Sequence, residues 1–191
     1  MANSIRSLVA RDSELAIETI AADHLVNRLE VEIDEFCVEL LALHQPMARD
    51  LRFITTAMKI VTNLERMADL AENICERAVE LNSEPIVKPY IDIPRMAEHA
   101  QKMLKEALDA FVTGDTKLAI KVCEDDQFID DLNDQIYREL LTFMIEDPRT
   151  IARATKITFV SKYLERIADH ATNIAEMVVY LVEGRDIRHL Y

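Results

Sequence analysis

Apolar residues recur at intervals of three and four along almost the whole chain, which places them on one face of an α-helix. Only two glycines and five prolines occur in 191 residues, whereas sheet proteins use both residue types at turns. The predicted fold class is therefore all-α. The breaks in the pattern predict helices at about 4–10, 13–44, 48–82, 94–113, 115–146 and 149–183.

Two copies of one helical unit follow each other along the chain. Asp12-Ser13-Glu14-Leu15-Ala16-Ile17 matches Asp115-Thr116-Lys117-Leu118-Ala119-Ile120. Leu64-Glu65-Arg66-Met67-Ala68-Asp69 matches Leu164-Glu165-Arg166-Ile167-Ala168-Asp169 at nearly the same offset. An internal repeat of this kind predicts two similar helical bundles. Their predicted boundaries are 1–82 for the first, 83–93 for a proline-containing linker, 94–184 for the second and 185–191 for a short tail.

The two units differ in their first helix. A full helix at about 94–113 precedes Gly114 in the second unit, whereas only 4–10 precedes the matching position in the first. The first bundle is therefore expected to lack most of one helix. We expect an exposed apolar groove there, covered by an earlier part of the protein or by another molecule.

Composition narrows the range of partners and compartments. The net charge of −13 disfavours binding to nucleic acid and to anionic membranes. The pattern contains no run of about 18 apolar residues and no signal peptide. Cys37, Cys75 and Cys123 lie within helical patterns, where small core residues are expected, and three unpaired cysteines suit a reducing compartment. These features predict a cytoplasmic protein.

One acidic motif, L-E-R-x-A-D-x-A-x-N-I-x-E, occurs at 64–76 and again at 164–176. Its acids and asparagine are spaced by four and therefore lie along one side of a helix. Aspartates of the preceding helix can face them, and clustered oxygen ligands suit magnesium, calcium, manganese or iron. The candidate metal ligands are Asp23, Glu65, Asp69 and Asn73 in the first unit and Asp126, Asp130, Glu165, Asp169 and Asn173 in the second.

Other interpretations of the motif stay open. Two acids four residues apart are common on solvated helices, and Arg66 or Arg166 can pair with them. Repetition favours a site, because packing alone does not require these polar residues. His170 follows a candidate ligand, but its counterpart is Leu70, which disfavours it as a ligand. The sequence has no Glu-x-x-His pair, no glycine-rich phosphate loop and no recognisable nucleophile. A metal-free adaptor or a carboxylate-bridged metalloenzyme are the alternatives, and we expect no enzyme activity.

The repeated Leu-Glu-Arg motifs resemble the signature of the PhoU family of phosphate-signalling regulators. The turn Gln45-Pro46-Met47-Ala48-Arg49-Asp50-Leu51-Arg52 and the ending Gly184-Arg185-Asp186-Ile187-Arg188-His189 are similar to family members as well. The resemblance covers essentially the whole chain. It is weakest at the N-terminus, where most of the first helix is absent.

This resemblance implies two tandem three-helix bundles related by a pseudo-two-fold axis, in a homodimer. It implies multinuclear sites on the acidic faces for iron, manganese, magnesium, zinc or calcium. It also implies a negative regulator of phosphate uptake and phosphate-starvation signalling. Such a protein connects the ATPase of a phosphate ABC transporter with a sensor histidine kinase, and reaches the membrane only through protein partners. Asn27, where the second unit has Asp130, predicts that the two sites differ.

Overall fold

A computed structural model describes residues 1–187. Arg188 and His189 of the family-like ending, and with them the last part of the predicted 185–191 tail, lie outside the described residues. The described chain has no strand, so the all-α prediction is confirmed. Its helices are α1 Ala2–Val9, α2 Ser13–Ala21, α3 Asp23–His44, α4 Arg49–Asn82, α5 Asp92–Thr113, α6 Thr116–Glu146 and α7 Ile151–Glu183, with a 3₁₀ turn at Pro148–Thr150 before α7.

The matching aspartates of the repeat cap matching helices. The side chain of Asp12 accepts a hydrogen bond from the backbone N–H of Leu15, at 2.9 Å. Asp115 accepts from Leu118 at 3.1 Å in the same way. Gly114 lies just before the second cap with φ of 70°, a left-handed conformation that glycine adopts without strain. These local signals start α2 and α6 at equivalent positions.

The prediction of one continuous helix over 13–44 is wrong. The chain turns at Ala22, which separates α2 from α3. The Ala22 N–H is shared between the carbonyls of Glu18 and Thr19, and the Ala22 carbonyl accepts from Leu25 in a tighter three-residue step. Such steps bend a helix. The bend lies directly before Asp23, so it sets the position of that carboxylate, whereas α6 continues unbroken through the equivalent region.

The two units pack along the long helices α4 and α7, which run antiparallel. Lys156, near the start of α7, pairs with Glu84 just beyond the end of α4, at 3.0 Å. Further along α7, His170 contacts Asn63 in the first half of α4. Fully buried residues of both helices belong to one continuous core, including Ile74 and Ile174. The packed α4–α7 pair therefore carries both copies of the acidic motif.

The outer helices of the two units differ in extent. In the second unit, α5 packs on both α6 and α7 and buries Met96 and Met103 completely. In the first unit the short α1 occupies only the place of the end of α5. Within residues 1–187, the outer face of α3 is consequently exposed. Within residues 1–187, no helix combines the length and apolar character that a membrane span requires.

Candidate metal centre

The first acidic face comprises Asp23 on α3 with Glu65, Asp69 and Glu72 on α4. One carboxylate oxygen from each of Asp23, Asp69 and Glu72 lies within 4.8 Å of the other two, and all three residues are partly buried. Within residues 1–187 this is the one group of three potential donors that converges so closely. Three converging carboxylates repel one another and form a donor set that hard cations bind.

Electrostatic strain on the first face appears in two of its acids. Burial, and next the charge of Asp69, raises the pKa of Glu65 above its ordinary value. Burial, and next the charge of Asp23, does the same to the pKa of Glu72. Arg66 opposes this repulsion, because its guanidinium lies 3.5 Å from Glu65 and 3.3 Å from Asp69. A cation on this face would therefore compete with a resident arginine.

The second acidic face comprises Asp126 and Asp130 on α6 with Glu165 and Asp169 on α7. Burial, followed by the charges of Asp169, Asp130 and Glu165, raises the pKa of Asp126 to about 7. Burial and then the charge of Glu165 raise the pKa values of Asp130 and Asp169. The four acids thus act on one another, and a metal ion would relieve their repulsion.

Two further groups limit the charge of the second face. Lys162, one turn before Glu165 on α7, forms an ion pair with it. The amide of Asn133 on α6 donates a hydrogen bond to the same carboxylate, at 3.4 Å. Lys162 also partly offsets the pKa increase of Asp130 and Asp169. A lysine therefore forms an ion pair with the second face, whereas an arginine forms ion pairs with the first.

The two candidate asparagines lie in different surroundings. The Asn73 side-chain amide donates to the backbone carbonyl of Asp69, at 2.8 Å, and so braces the turn of α4 that carries this acid. Asn173 is exposed and lines a cavity between α4 and α7 together with Lys59 and Asn63. Whether either asparagine ligates a metal stays a prediction.

Sequence reasoning missed Glu72. It follows Asp69 by three residues and therefore lies on the same side of α4. Its counterpart in the second unit is Thr172, so a search for residues common to both repeats passes over it. The spacing from Asp69 was the signal that could have found it.

His170, which the sequence disfavours as a metal ligand, contacts the other long helix. Nδ1 of His170 lies 2.8 Å from Oδ1 of Asn63, which joins α7 to α4. Burial, and next the nearby Arg166 charge, lowers the pKa of His170.

The three cysteines are buried, as predicted. Burial raises the pKa of Cys75 to about 11 and that of Cys123 to about 12, so both are neutral thiols at neutral pH.

Comparison with known proteins decides the family. A family model described as the PhoU domain matches residues 1–78 and 93–178. The chain belongs to the PhoU family. Both segments of the PhoU match contain one acidic motif, and the resemblance predicted from the repeated Leu-Glu-Arg pattern is therefore confirmed.

Two PhoU relatives are similar over nearly the whole chain. The phosphate-specific transport system accessory protein PhoU homolog of Pseudomonas aeruginosa is 42% identical over 189 residues, which cover 98% of this chain and 78% of the relative. The homolog of the same description from Aquifex aeolicus is 47% identical over 183 residues, which cover 96% of this chain and 83% of the relative. These relatives are named as accessory proteins of phosphate transport.

Two solved PhoU structures share the fold. The crystal structure of PhoU from Pseudomonas aeruginosa matches with a TM-score of 0.92 at 42% identity, covering 96% of this chain and 88% of that one. The phosphate transport system regulatory protein PhoU from Streptococcus pneumoniae matches with a TM-score of 0.89 at 29% identity, covering 97% and 87%. The helical architecture described above is thus the PhoU architecture.

Proposed function

We propose that this chain is a cytoplasmic negative regulator of phosphate uptake and phosphate-starvation signalling. In this proposal it acts as a metal-binding adaptor between the ATPase of a phosphate ABC transporter and a sensor histidine kinase, and it works as a homodimer rather than as an enzyme. Membership of the PhoU family and the accessory role named for its relatives support the phosphate-transport part.

The convergence of Asp23, Asp69 and Glu72 carries the metal-binding part of the proposal. Their oxygens are close enough to share one cation, and they come from two different helices. The all-oxygen donor set fits magnesium, calcium, manganese or iron better than metals that prefer thiolate or imidazole ligands. On the second face, the raised pKa of Asp126 reflects a concentration of negative charge that a cation would also neutralise.

Metal binding has a mechanical consequence for the adaptor. The first face joins α3 to α4, and the second joins α6 to α7. A bound cation supplies positive charge that replaces carboxylate repulsion with attraction at each helix pair. The acids of this chain then hold α3 and α6 against the α4–α7 pair. In this mechanism the ordered bundles present fixed docking surfaces to the transporter and the kinase.

The test compares metal content and stability of protein purified without a histidine tag. Elemental mass spectrometry gives ions per chain, and the melting temperature is measured with and without chelator. We expect bound metal and a lower melting temperature after chelation. Replacing Glu65, Asp69, Glu165 and Asp169 by alanine is expected to abolish both effects and to weaken binding to the purified transporter ATPase and kinase.

A matched control removes the same number of carboxylates elsewhere. The exposed acids Glu32, Glu39, Asp109 and Glu146 lie outside both acidic faces, and their replacement by alanine changes the net charge equally. The control variant should keep its metal and its response to chelator. Equal loss in both variants would mean that bulk charge, rather than the acidic faces, retains the ions.

A metal-free adaptor is the second candidate, and one observation favours it. Arg66 and Lys162 already supply a positive charge to each face. If these side chains suffice, the protein is metal-free as purified, and its melting temperature does not respond to manganese, magnesium or iron. The acidic faces would then serve directly as surfaces for protein partners.

A further inference from the structure

An open cleft of about 660 Å³ lies between α4 and α7. Pockets that bind small organic molecules in proteins have volumes of about 300–1,000 Å³. The cleft combines charged, polar, aromatic and apolar side chains, which are Lys59, Thr62, Asn63, Asn173, Glu176, Met177, Tyr180 and Asp186. Of the candidate metal ligands, only one asparagine belongs to this set. The cleft is therefore a feature separate from the carboxylates of the two acidic faces.

The internal repeat shows that the cleft does not result from the shorter first unit. Lys59 and Thr62 of α4 correspond to Phe159 and Lys162 of α7. The second unit contains α5, yet Phe159 is 49% exposed and the side chain of Lys162 is 54% exposed. A helix placed on the first unit as α5 is placed on the second would therefore leave Lys59 and Thr62 open.

Side chains fill the corresponding place in the other half of the α4–α7 pair. Phe159 and Tyr163 stand where the cleft has Lys59 and Asn63, and their rings stack with centroids 6.2 Å apart. Arg77, in the same region, forms ion pairs with two glutamates of its own helix. Two rings and an internal ion-pair network thus occupy the region that corresponds to the cleft, so the cleft is specific to one half.

One end of the cleft is positively charged. Lys59 is exposed there, and its backbone carbonyl accepts a hydrogen bond from the amide of Asn63, at 2.8 Å. Oδ1 of Asn63 in turn lies 2.8 Å from Nδ1 of His170, which fixes the width of the cleft at this end. Burial, and then the charges of Arg166 and Arg66, lower the pKa of His170, so two guanidinium groups lie near the same end. This end suits an anionic group that accepts hydrogen bonds.

The other end of the cleft is aromatic and acidic. Tyr180 is 49% exposed and offers a ring on which another ring can stack, with the thioether of Met177 beside it. Glu176 and Asp186 add carboxylates, which only accept hydrogen bonds. A carboxylate has about four acceptor positions, so it can serve a ligand in addition to a partner within the protein. This end suits a ring that carries hydrogen-bond donors.

The two ends together define the chemistry of the ligand. Seven residues separate Asn173 from Tyr180, which is about 10 Å along a helix. An inorganic anion would use one end and leave most of the volume empty. A nucleic acid strand has a negative charge at every nucleotide, and the net charge of −13 disfavours it. A single phosphate joined through a sugar to an amine-bearing ring uses both ends.

We infer that the cleft between α4 and α7 binds a purine nucleoside monophosphate. Lys59 and the amide of Asn173 donate hydrogen bonds to its phosphate, and its purine ring stacks on Tyr180. The amino group of the purine and the ribose hydroxyls donate to Glu176 and Asp186. The inference does not depend on metal binding, because the carboxylates of the acidic faces take no part in it.

Calorimetric titration of AMP into the full chain tests the inference. The protein is kept in chelator, so that no metal ion bridges the phosphate to the acidic faces. We expect saturable binding of AMP, and at least about tenfold weaker binding of adenosine and of inorganic phosphate, because each of them uses only one end of the cleft. The affinity for AMP should fall as salt increases.

Variants of the full chain locate AMP in the cleft. Lys59→Met and Tyr180→Ala should each weaken AMP binding at least about tenfold. Lys105→Met removes an exposed lysine of α5, and Tyr137→Ala removes a tyrosine of α6 that is as exposed as Tyr180. Both control variants should keep the affinity for AMP. All four changes are at exposed positions, so the helical circular dichroism should stay unchanged.

Three results would overturn the inference. The first is no saturable binding of AMP at millimolar concentration. The second is equal affinity for AMP and inorganic phosphate, because the site would then recognise an anion alone. The third is AMP binding that Lys59→Met and Tyr180→Ala leave unaltered, or that the control variants weaken equally.

Discussion

The two acidic faces carry nearly the same motif on α4 and α7, yet their surroundings differ. On the first face Asp23 lies next to Asn27, whose amide donates to it at 2.9 Å. On the second face Asp126 shares its surroundings with Asp130 in the place of that amide, and its pKa rises to about 7. The strain on each set of acids therefore depends on burial and on the residues of the facing helix as well as on the repeated motif.

A second contrast separates the units at their outer helices. Within residues 1–187, α5 covers the outer face of α6, whereas no helix covers the same face of α3. Because α2 and α3 are separated by the turn at Ala22, the first unit also has a less continuous outer helix. Together these differences make the second unit the better packed half of the described chain.

The largest expected effect on stability comes from truncating a side chain on the face of α6 that α5 covers. Leu132→Ala should lower the free energy of unfolding by about 2–5 kcal/mol, because it removes a buried side chain from a packed core. Leu29→Ala, the equivalent change on the open face, should lower it by less than about 1 kcal/mol. Urea denaturation of both variants measures the difference. Equal losses would show that Leu29 is covered in solution.

The second-largest effect should be the stabilisation of the folded protein by added metal ions. A cation at a concentration of 100 times its Kd stabilises the folded state by about 2.7 kcal/mol through each independent site. Asp69→Asn should remove the contribution of the first face, and Asp169→Asn that of the second. Thermal unfolding with and without manganese measures both. A response that neither variant reduces would place the bound ions elsewhere.

The raised pKa of Asp126 predicts a pH-dependent effect of removing it. Because its pKa in the folded protein lies above the ordinary value of 3.8, the ionised group destabilises the fold. This penalty is absent below about pH 4, increases up to about pH 7 and is complete above it. In chelator, Asp126→Asn should stabilise the protein at pH 8 by on the order of 1 kcal/mol after solvent screening.

The matched variant for this prediction is Asp23→Asn in the first unit. We expect a smaller gain from it, because Asp23 already accepts the Asn27 hydrogen bond. Urea denaturation at pH 4 and pH 8 measures both variants. A gain from Asp126→Asn that is the same at the two pH values would contradict the assigned strain.

The smallest expected effect comes from replacing Arg66, the arginine that pairs with acids of the first face. Arg66→Ala should destabilise the metal-free protein by about 0.2–1 kcal/mol, the range of exposed ion pairs. It should also raise the affinity of the first face for manganese a few-fold, because the competing charge is gone. Calorimetric titration measures the affinity, with Arg66→Lys as the control that keeps the charge. Unchanged manganese affinity in Arg66→Ala would mean that the arginine does not compete.

Much of the fold was predictable from helical periodicity and from the repeat. The caps at Asp12 and Asp115 and the breaks at the prolines carry strong local signals. The turn at Ala22 carries none, because alanine is the best helix former and apolar spacing continues through it. Only the backbone hydrogen bonds reveal that α2 ends there.

The candidate site was less predictable in its details. The repeated acids indicated the two faces, but the contribution of Glu72 depends on where the bend at Ala22 places Asp23. The pairing of Lys162 with Glu165 likewise depends on rotamers, and lysine at that position has no counterpart in the first unit, where Thr62 stands. A comparison of repeats finds what both units share and misses what only one of them has.

Titration of manganese into metal-free protein, followed by isothermal calorimetry, tests the central claim most directly. We predict saturable binding of about one ion or more to each face, with one class of site lost in Asp69→Asn and the other in Asp169→Asn. The two classes should differ in affinity, as their surroundings do. Absence of binding, or binding that both variants retain in full, would contradict the assignment of the acidic faces as metal sites.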